Sequence, residues 1–115
     1  MREDDRVRLH HMLDAACEAL GFAAGRHRRD LDTDRMLVLA LVKAIEIIGE
    51  AGARVSIEGR DATPDVPWPE IVGMRNRLVH AYFDVNLDVV WTTVQHDLPP
   101  LVAALQGVLN ERETD

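Results

Sequence analysis

The chain has few of the residues that most often mark secreted, membrane or sheet proteins. It has one cysteine in 115 residues, Cys17, so no internal disulfide can form and a reducing cytosol is the expected setting. Aromatic residues make up only 4% of the chain, while leucine, valine, alanine and isoleucine are abundant. That balance favours packed helices over sheets. The seven glycines are scattered rather than gathered into a phosphate-cradling loop. The longest apolar run, residues 36 to 42, is too short to span a bilayer, and the charged start Met1-Arg2-Glu3-Asp4-Asp5 lacks a signal peptide's apolar centre. Positive charge is also scarce. Thirteen Lys and Arg against twenty Asp and Glu give a net charge of -7. This argues against broad, charge-driven nucleic-acid binding but leaves room for a local basic site. No spacing of histidine, cysteine and carboxylate resembles a metal site, and no cofactor is implied.

What remains is helical periodicity. A first helix is expected over about residues 4 to 20, with Leu9, Met12, Leu13, Ala16, Cys17 and Leu20 on one side and Gly21 ending it. Cys17 then reads as a buried small hydrophobe rather than a catalytic thiol. A basic link, Arg26 to Arg29, leads to a second helix capped by Asp30 or Asp32 and running to about Ala53. Its stripe of Leu37, Leu41, Ala44, Ile48 and Ala51 is widened by Met36, Ala40 and Ile47. So broad an apolar face predicts burial on two sides, against this chain's own helices and a second copy. Residues 55 to 68 read as a loop, punctuated by Gly59, Pro64 and Pro67. A third helix is expected over residues 69 to 81, with Pro69 in its first turn. Asn86 caps a fourth carrying Leu87, Val90, Trp91, Val94 and Leu98. Pro99-Pro100 must kink or restart it, with Asp97 as the restart's cap. The expected fold class is all-α: a single domain over residues 1–115, built as a four- to five-helix antiparallel bundle.

Chemistry concentrates in the third helix, in Met74-Arg75-Asn76-Arg77-Leu78-Val79-His80-Ala81-Tyr82-Phe83-Asp84. At 100° per residue, Asn76 and His80 share a stripe, Arg75 and Tyr82 share a neighbouring one, and Ile71, Met74 and Leu78 form the apolar anchor. Arg75 lies about 140° from His80, a gap its long side chain can span. An imidazole with an ordinary pKa of about 6.5 can act as base or acid. A guanidinium can stabilise charge building on phosphoryl oxygens. An amide can orient the histidine or hold a phosphate oxygen. The set suits metal-independent RNA cleavage by the RNA's own 2'-hydroxyl. With one histidine per motif, a symmetric homodimer would bring two to one cleft.

Other residues invite two readings each. Glu50, on a largely apolar helix, either pairs with Arg75 or Arg77 and sets the arginine's orientation, or is a partly exposed acid at a helix end. Arg26, Arg28, Arg29 and Arg77 either extend a basic rim or are isolated surface cations. Trp68 and Trp91 read as packing anchors rather than base-stacking platforms.

The segment Arg75-Asn76-x-x-x-His80-x-Tyr82 resembles the R-x4-H-x-Y signature of the HEPN superfamily. It is similar in particular to the HepT-like ribonuclease toxins, which pair with a minimal nucleotidyltransferase antitoxin. The likeness extends to Ala44-Ile45-Glu46-Ile47-Ile48-Gly49-Glu50-Ala51, to Pro67-Trp68 with Ile71-Val72-Gly73-Met74, and to Asp84 through Val90-Trp91 and Asp97-Leu98-Pro99. It covers roughly residues 30 to 105. The resemblance implies an all-helical, HEPN-like homodimer acting in the cytoplasm as the toxin of a type VII-like toxin–antitoxin pair. Arg75 and His80 would then be catalytic on an RNA substrate, with Asn76 in support. The partner would be a cognate nucleotidyltransferase that transfers AMP from ATP to Tyr82. Phosphodiester-linked AMP would add negative charge and bulk beside the cleft. Two rivals stand beside this reading: a non-catalytic HEPN dimer that only binds the nucleotidyltransferase or a nucleotide, and a small-molecule acid–base enzyme using His80.

Overall fold

The computed structural model describes residues 1–79 and 86–114, apart from the side chains of residues 75, 77–79 and 111–114. Every regular element among the described residues is helical: α1 (Glu3–Ala23), α2 (Asp30–Thr33), α3 (Arg35–Ala53), α4 (Ile57–Asp61), α5 (Trp68–Val79), α6 (Leu87–Thr92) and α7 (Leu98–Thr114), with a π-helical turn over Thr93–Asp97 between the last two. Four rods dominate: α1, α3, α5, and the continuous run from α6 through α7. α3 packs on α1 and α5, and α7 packs on α1. The all-α bundle expected from periodicity is the fold observed.

The core lies where these rods meet. Leu9, Met12, Ala16 and Ala19 of α1, Leu41, Ile45 and Ile48 of α3, and Leu98, Leu101 and Leu105 of α7 are wholly buried. α1 therefore buries a stripe centred on Leu9, Met12, Ala16, Ala19 and Ala23. Because neighbours sit on two sides, that stripe is turned away from the one expected, and Cys17 is exposed, not buried. Gly21 does not end α1. Ala23, 5% exposed, anchors one more turn, and the reversal falls at Gly25, whose φ of 73° suits a residue without a Cβ.

The second long helix is capped by neither Asp30 nor Asp32. Asp34 caps α3, its carboxylate accepting from the Leu37 N–H at 3.1 Å, and Arg26 selects it by donating to the other oxygen at 2.6 Å. Asp30 instead opens the short α2. The stretch read as loop contains α4, whose cap Ser56 accepts from the Gly59 N–H at 3.0 Å. Asn86 caps α6 as expected, accepting from the N–H groups of Asp88 and Val89. Asp97 caps no restart, since it lies inside the π turn. That widened turn, with the Leu98 N–H reaching the Thr93 carbonyl, absorbs the donors missing at Pro99 and Pro100 without a break. Among the described residues, no helix is long and apolar enough to cross a membrane.

Candidate active site on the fifth helix

α5 has two unlike faces. Ile71 and Met74 are 1% and 2% exposed and press into the core, whereas Val72 and Asn76 are exposed. Val72 and Asn76 are four residues apart and so share one outward stripe. The structure thus places Asn76 on solvent-facing ground, backed by a buried apolar anchor, as the periodicity predicts. Arg75 and Arg77 lie on the α5 backbone, their side chains outside the described residues, as is that of Leu78. His80 and Tyr82 also lie outside the described residues, as does the expected helix end at Ala81.

The first turn of α5 is held by contacts the periodicity does not reveal. The helix starts one residue earlier than expected, at Trp68, which is 8% exposed. Its indole Nε1–H donates to both the carbonyl and the hydroxyl oxygen of Thr63, each at 3.2 Å. Thr63 in turn donates to the Gly59 carbonyl at 2.8 Å. The Arg60 guanidinium stands over the Trp68 ring, 5.5 Å from its centroid, and its Nη2 donates to the Gly52 and Ala53 carbonyls at the C-terminus of α3. On the far side of α4, the buried Asp5 accepts from the Ser56 N–H at 2.8 Å and the Ser56 hydroxyl at 2.5 Å. Burial pushes the Asp5 carboxyl up. The two Ser56 donors, Arg2 and the chain's amino terminus outweigh it and hold the group below the usual carboxylate range. Asp5, Arg60 and Thr63 escape sequence reasoning, and the signals were slight: a Ser56-x-x-Gly59 cap and a threonine five residues before a tryptophan.

Trp68 is an anchor, as expected, and Trp91 is half-buried against the core. Glu50 is exposed, so the burial that motivated a pairing with Arg75 or Arg77 is missing. The basic link is largely neutralised. Arg26 is held by Asp34 and Asp30, and Arg28 by Asp88 at 2.7 Å and Asp32 at 3.0 Å. The Arg26 and Arg28 guanidinium groups are raised above their ordinary pKa, in each case first by the hydrogen bond to its partner carboxylate, Asp34 or Asp88. Two of the four rim candidates are therefore committed to aspartates within the chain. Among the described residues no three His, Cys, Asp or Glu side chains gather in a way that could hold a metal ion.

On α3, Met36 is 83% and Leu39 52% exposed, so two large apolar side chains of that helix are left uncovered within the chain. Met36, expected to widen the buried stripe, lies outside it.

Comparison with known proteins identifies the family. Residues 12–108 match the family model described as "Ribonuclease HepT-like". A "Probable ribonuclease HepT" of Thermococcus cleftensis is 40% identical over 72 residues, covering 63% of this chain and 66% of that protein. A "Putative RNase" of Caldanaerobacter subterraneus is 34% identical over 108 residues, 94% of this chain and 96% of the relative. Another of that description, from Methanocaldococcus jannaschii, is 32% identical over 100 residues, 87% and 92% of the two chains. No solved structure gives a significant match.

Proposed function

The chain belongs to the HepT-like ribonuclease family, and we propose that it is a metal-independent endoribonuclease, the toxin of a toxin–antitoxin pair. The observation that carries the reading is the division of α5, with Ile71 and Met74 locked in the core and Asn76 presented to solvent. A helix so divided offers its polar side to a large substrate while its backbone stays fixed.

In the proposed reaction a histidine, His80, removes the proton from a ribose 2'-hydroxyl. The 2'-oxygen attacks the adjacent phosphorus, and the bond to the 5'-oxygen breaks. A second imidazole, from the other copy, protonates that leaving oxygen. The products are a 2',3'-cyclic phosphate and a 5'-hydroxyl. Arg75 stabilises the charge on the non-bridging oxygens, and Asn76 orients the imidazole or a phosphate oxygen. The need for two imidazoles makes the active form a homodimer, and the uncovered Met36 and Leu39 of α3 supply apolar surface for such an interface. Silencing follows when a cognate minimal nucleotidyltransferase joins the Tyr82 hydroxyl to the α-phosphorus of ATP, releasing pyrophosphate. The added phosphodiester charge and adenosine then block RNA. The setting is cytoplasmic.

The test incubates purified protein with single-stranded RNA in EDTA and analyses the ends. Cyclic phosphate and 5'-hydroxyl ends are expected, and intact RNA would refute the reading. Intact mass after co-expression with a neighbouring nucleotidyltransferase tests the silencing step. Added AMP that disappears in Tyr82→Phe is expected, and an unmodified mass would remove this step.

A further inference from the structure

We infer that Arg60 and Trp68 are positioning residues for the chemistry of α5: the Arg60 guanidinium, bound to the last carbonyls of α3 and stacked on Trp68, sets the rotation of α5 about its own axis. The inference rests on the ribonuclease reading of that site.

The contacts form one connected bracket. Arg60 reaches back to Gly52 and Ala53 at 3.2 and 3.3 Å, so it reads where α3 ends. The same guanidinium lies over the first residue of α5, at 5.5 Å. Trp68 cannot slide under it freely, because its indole N–H is tied to Thr63 by two hydrogen bonds. α4, which carries Arg60, is itself pinned to α1 through Asp5 and Ser56, fifty-one residues apart. A short helix of five residues, too short to be stable alone, is thereby made into a rigid spacer between two long ones. Below it, α3 and α5 touch so closely that a Cβ at Gly52 would meet Ile71 Cγ2 at 2.5 Å. That close approach, with Ile71 and Met74 buried, holds the middle of α5 against α3, and the rotation of its first turn is what is left to fix. The Arg60–Trp68 stack stands where it can fix it.

Rotation matters for the chemistry. Arg75 and Asn76 follow Trp68 by seven and eight residues on the same helix. Side-chain tips stand about 5–6 Å from a helix axis, so a turn of about 10° moves them by about 1 Å. An error of that size in a reacting geometry can cost on the order of a hundredfold in rate. Arg60 touches no substrate in this scheme and acts through the helix.

The experiment measures RNA cleavage in EDTA at 25 °C for the parental protein, Arg60→Met, Arg60→Lys, Trp68→Phe and Ala19→Gly, each with its melting curve. Arg60→Met is expected to lose about tenfold or more in kcat with KM unchanged. Arg60→Lys, which keeps a cation over the ring and donors for the carbonyls, recovers much of the loss. Trp68→Phe, which keeps a ring but not the N–H, loses activity in the same way and serves if Arg60→Met does not fold. Ala19→Gly loosens the core of α1 away from the bracket and keeps the parental kcat. A parental kcat in Arg60→Met, or an equal loss in Ala19→Gly, would overturn the inference while leaving the ribonuclease reading intact. A parental protein that does not cut RNA would sink both.

Discussion

Replacing Gly52 with alanine adds one methyl where α3 packs closely against Ile71 of α5. A Cβ built there lies 2.5 Å from Ile71 Cγ2 and 3.5 Å from Met12 Cε. The methionine end can bend away, but the isoleucine cannot readily do so. Ile71 is 1% exposed, and a β-branched side chain in a helix has one strongly preferred χ1 rotamer. Overpacking of this kind costs about 1–3 kcal/mol. Against it, alanine in a helix gains about 1 kcal/mol over glycine. The net expectation is destabilisation by about 1 kcal/mol, a fall in Tm of about 4–8 °C for a domain near this size. Denaturant unfolding followed by circular dichroism reads it. A double-mutant cycle sharpens the test. Ile71→Ala alone should cost about 2–5 kcal/mol, and adding Gly52→Ala to it should restore stability, because the methyl then enters the vacated space. A Gly52→Ala protein with a higher midpoint than the parental chain would refute the close approach and the geometry argued from it.

Three further outcomes follow from the same contacts. Asp5→Asn should destabilise by about 2 kcal/mol at pH 7, because the charge and one of the two acceptor oxygens that Ser56 uses are lost. The folded-state pKa of Asp5 is depressed, so its contribution is present above the unfolded value of about 3.9 and fades as pH falls through the folded one. Melting curves of the two proteins should therefore converge in strong acid, and a constant gap would contradict the role given to the charge. Asn86→Ala removes the acceptor for two N–H groups and should cost about 1 kcal/mol, read by thermal unfolding; an unchanged Tm would deny the cap. Cys17 should react at once with a thiol reagent in the folded protein, and reaction only in denaturant would show that it is covered.

The long helices were legible because each carries an apolar stripe of helical period, and Pro69 and Asn86 act locally where they stand. The departures arise where a choice among local signals is made by distant residues. Asp30 and Asp32 were the expected caps of the second long helix, whereas Asp34 beside them takes the role, and the contact with Arg26 accompanies it. α4 exists with Asp5 reaching its cap from far along the chain, a contact no local pattern announces. Cys17 has the helical spacing of a buried position, but α1 packs against both α3 and α7 and buries a different stripe, leaving Cys17 exposed. The outward stripe with Asn76 could be read from spacing, since Ile71 and Met74 mark the buried side. The roles of Arg60 and Thr63 could not, because they depend on a fold-back of the connecting segment onto α3.

We propose that Arg75 and His80 cut RNA without a metal. The most direct measurement is the single-turnover cleavage rate in EDTA for the parental protein beside Arg75→Ala and His80→Ala, each shown to be folded. Both substitutions should abolish cleavage while the melting curves stay close to the parental one. Cleavage by the folded His80→Ala protein at the parental rate would contradict it.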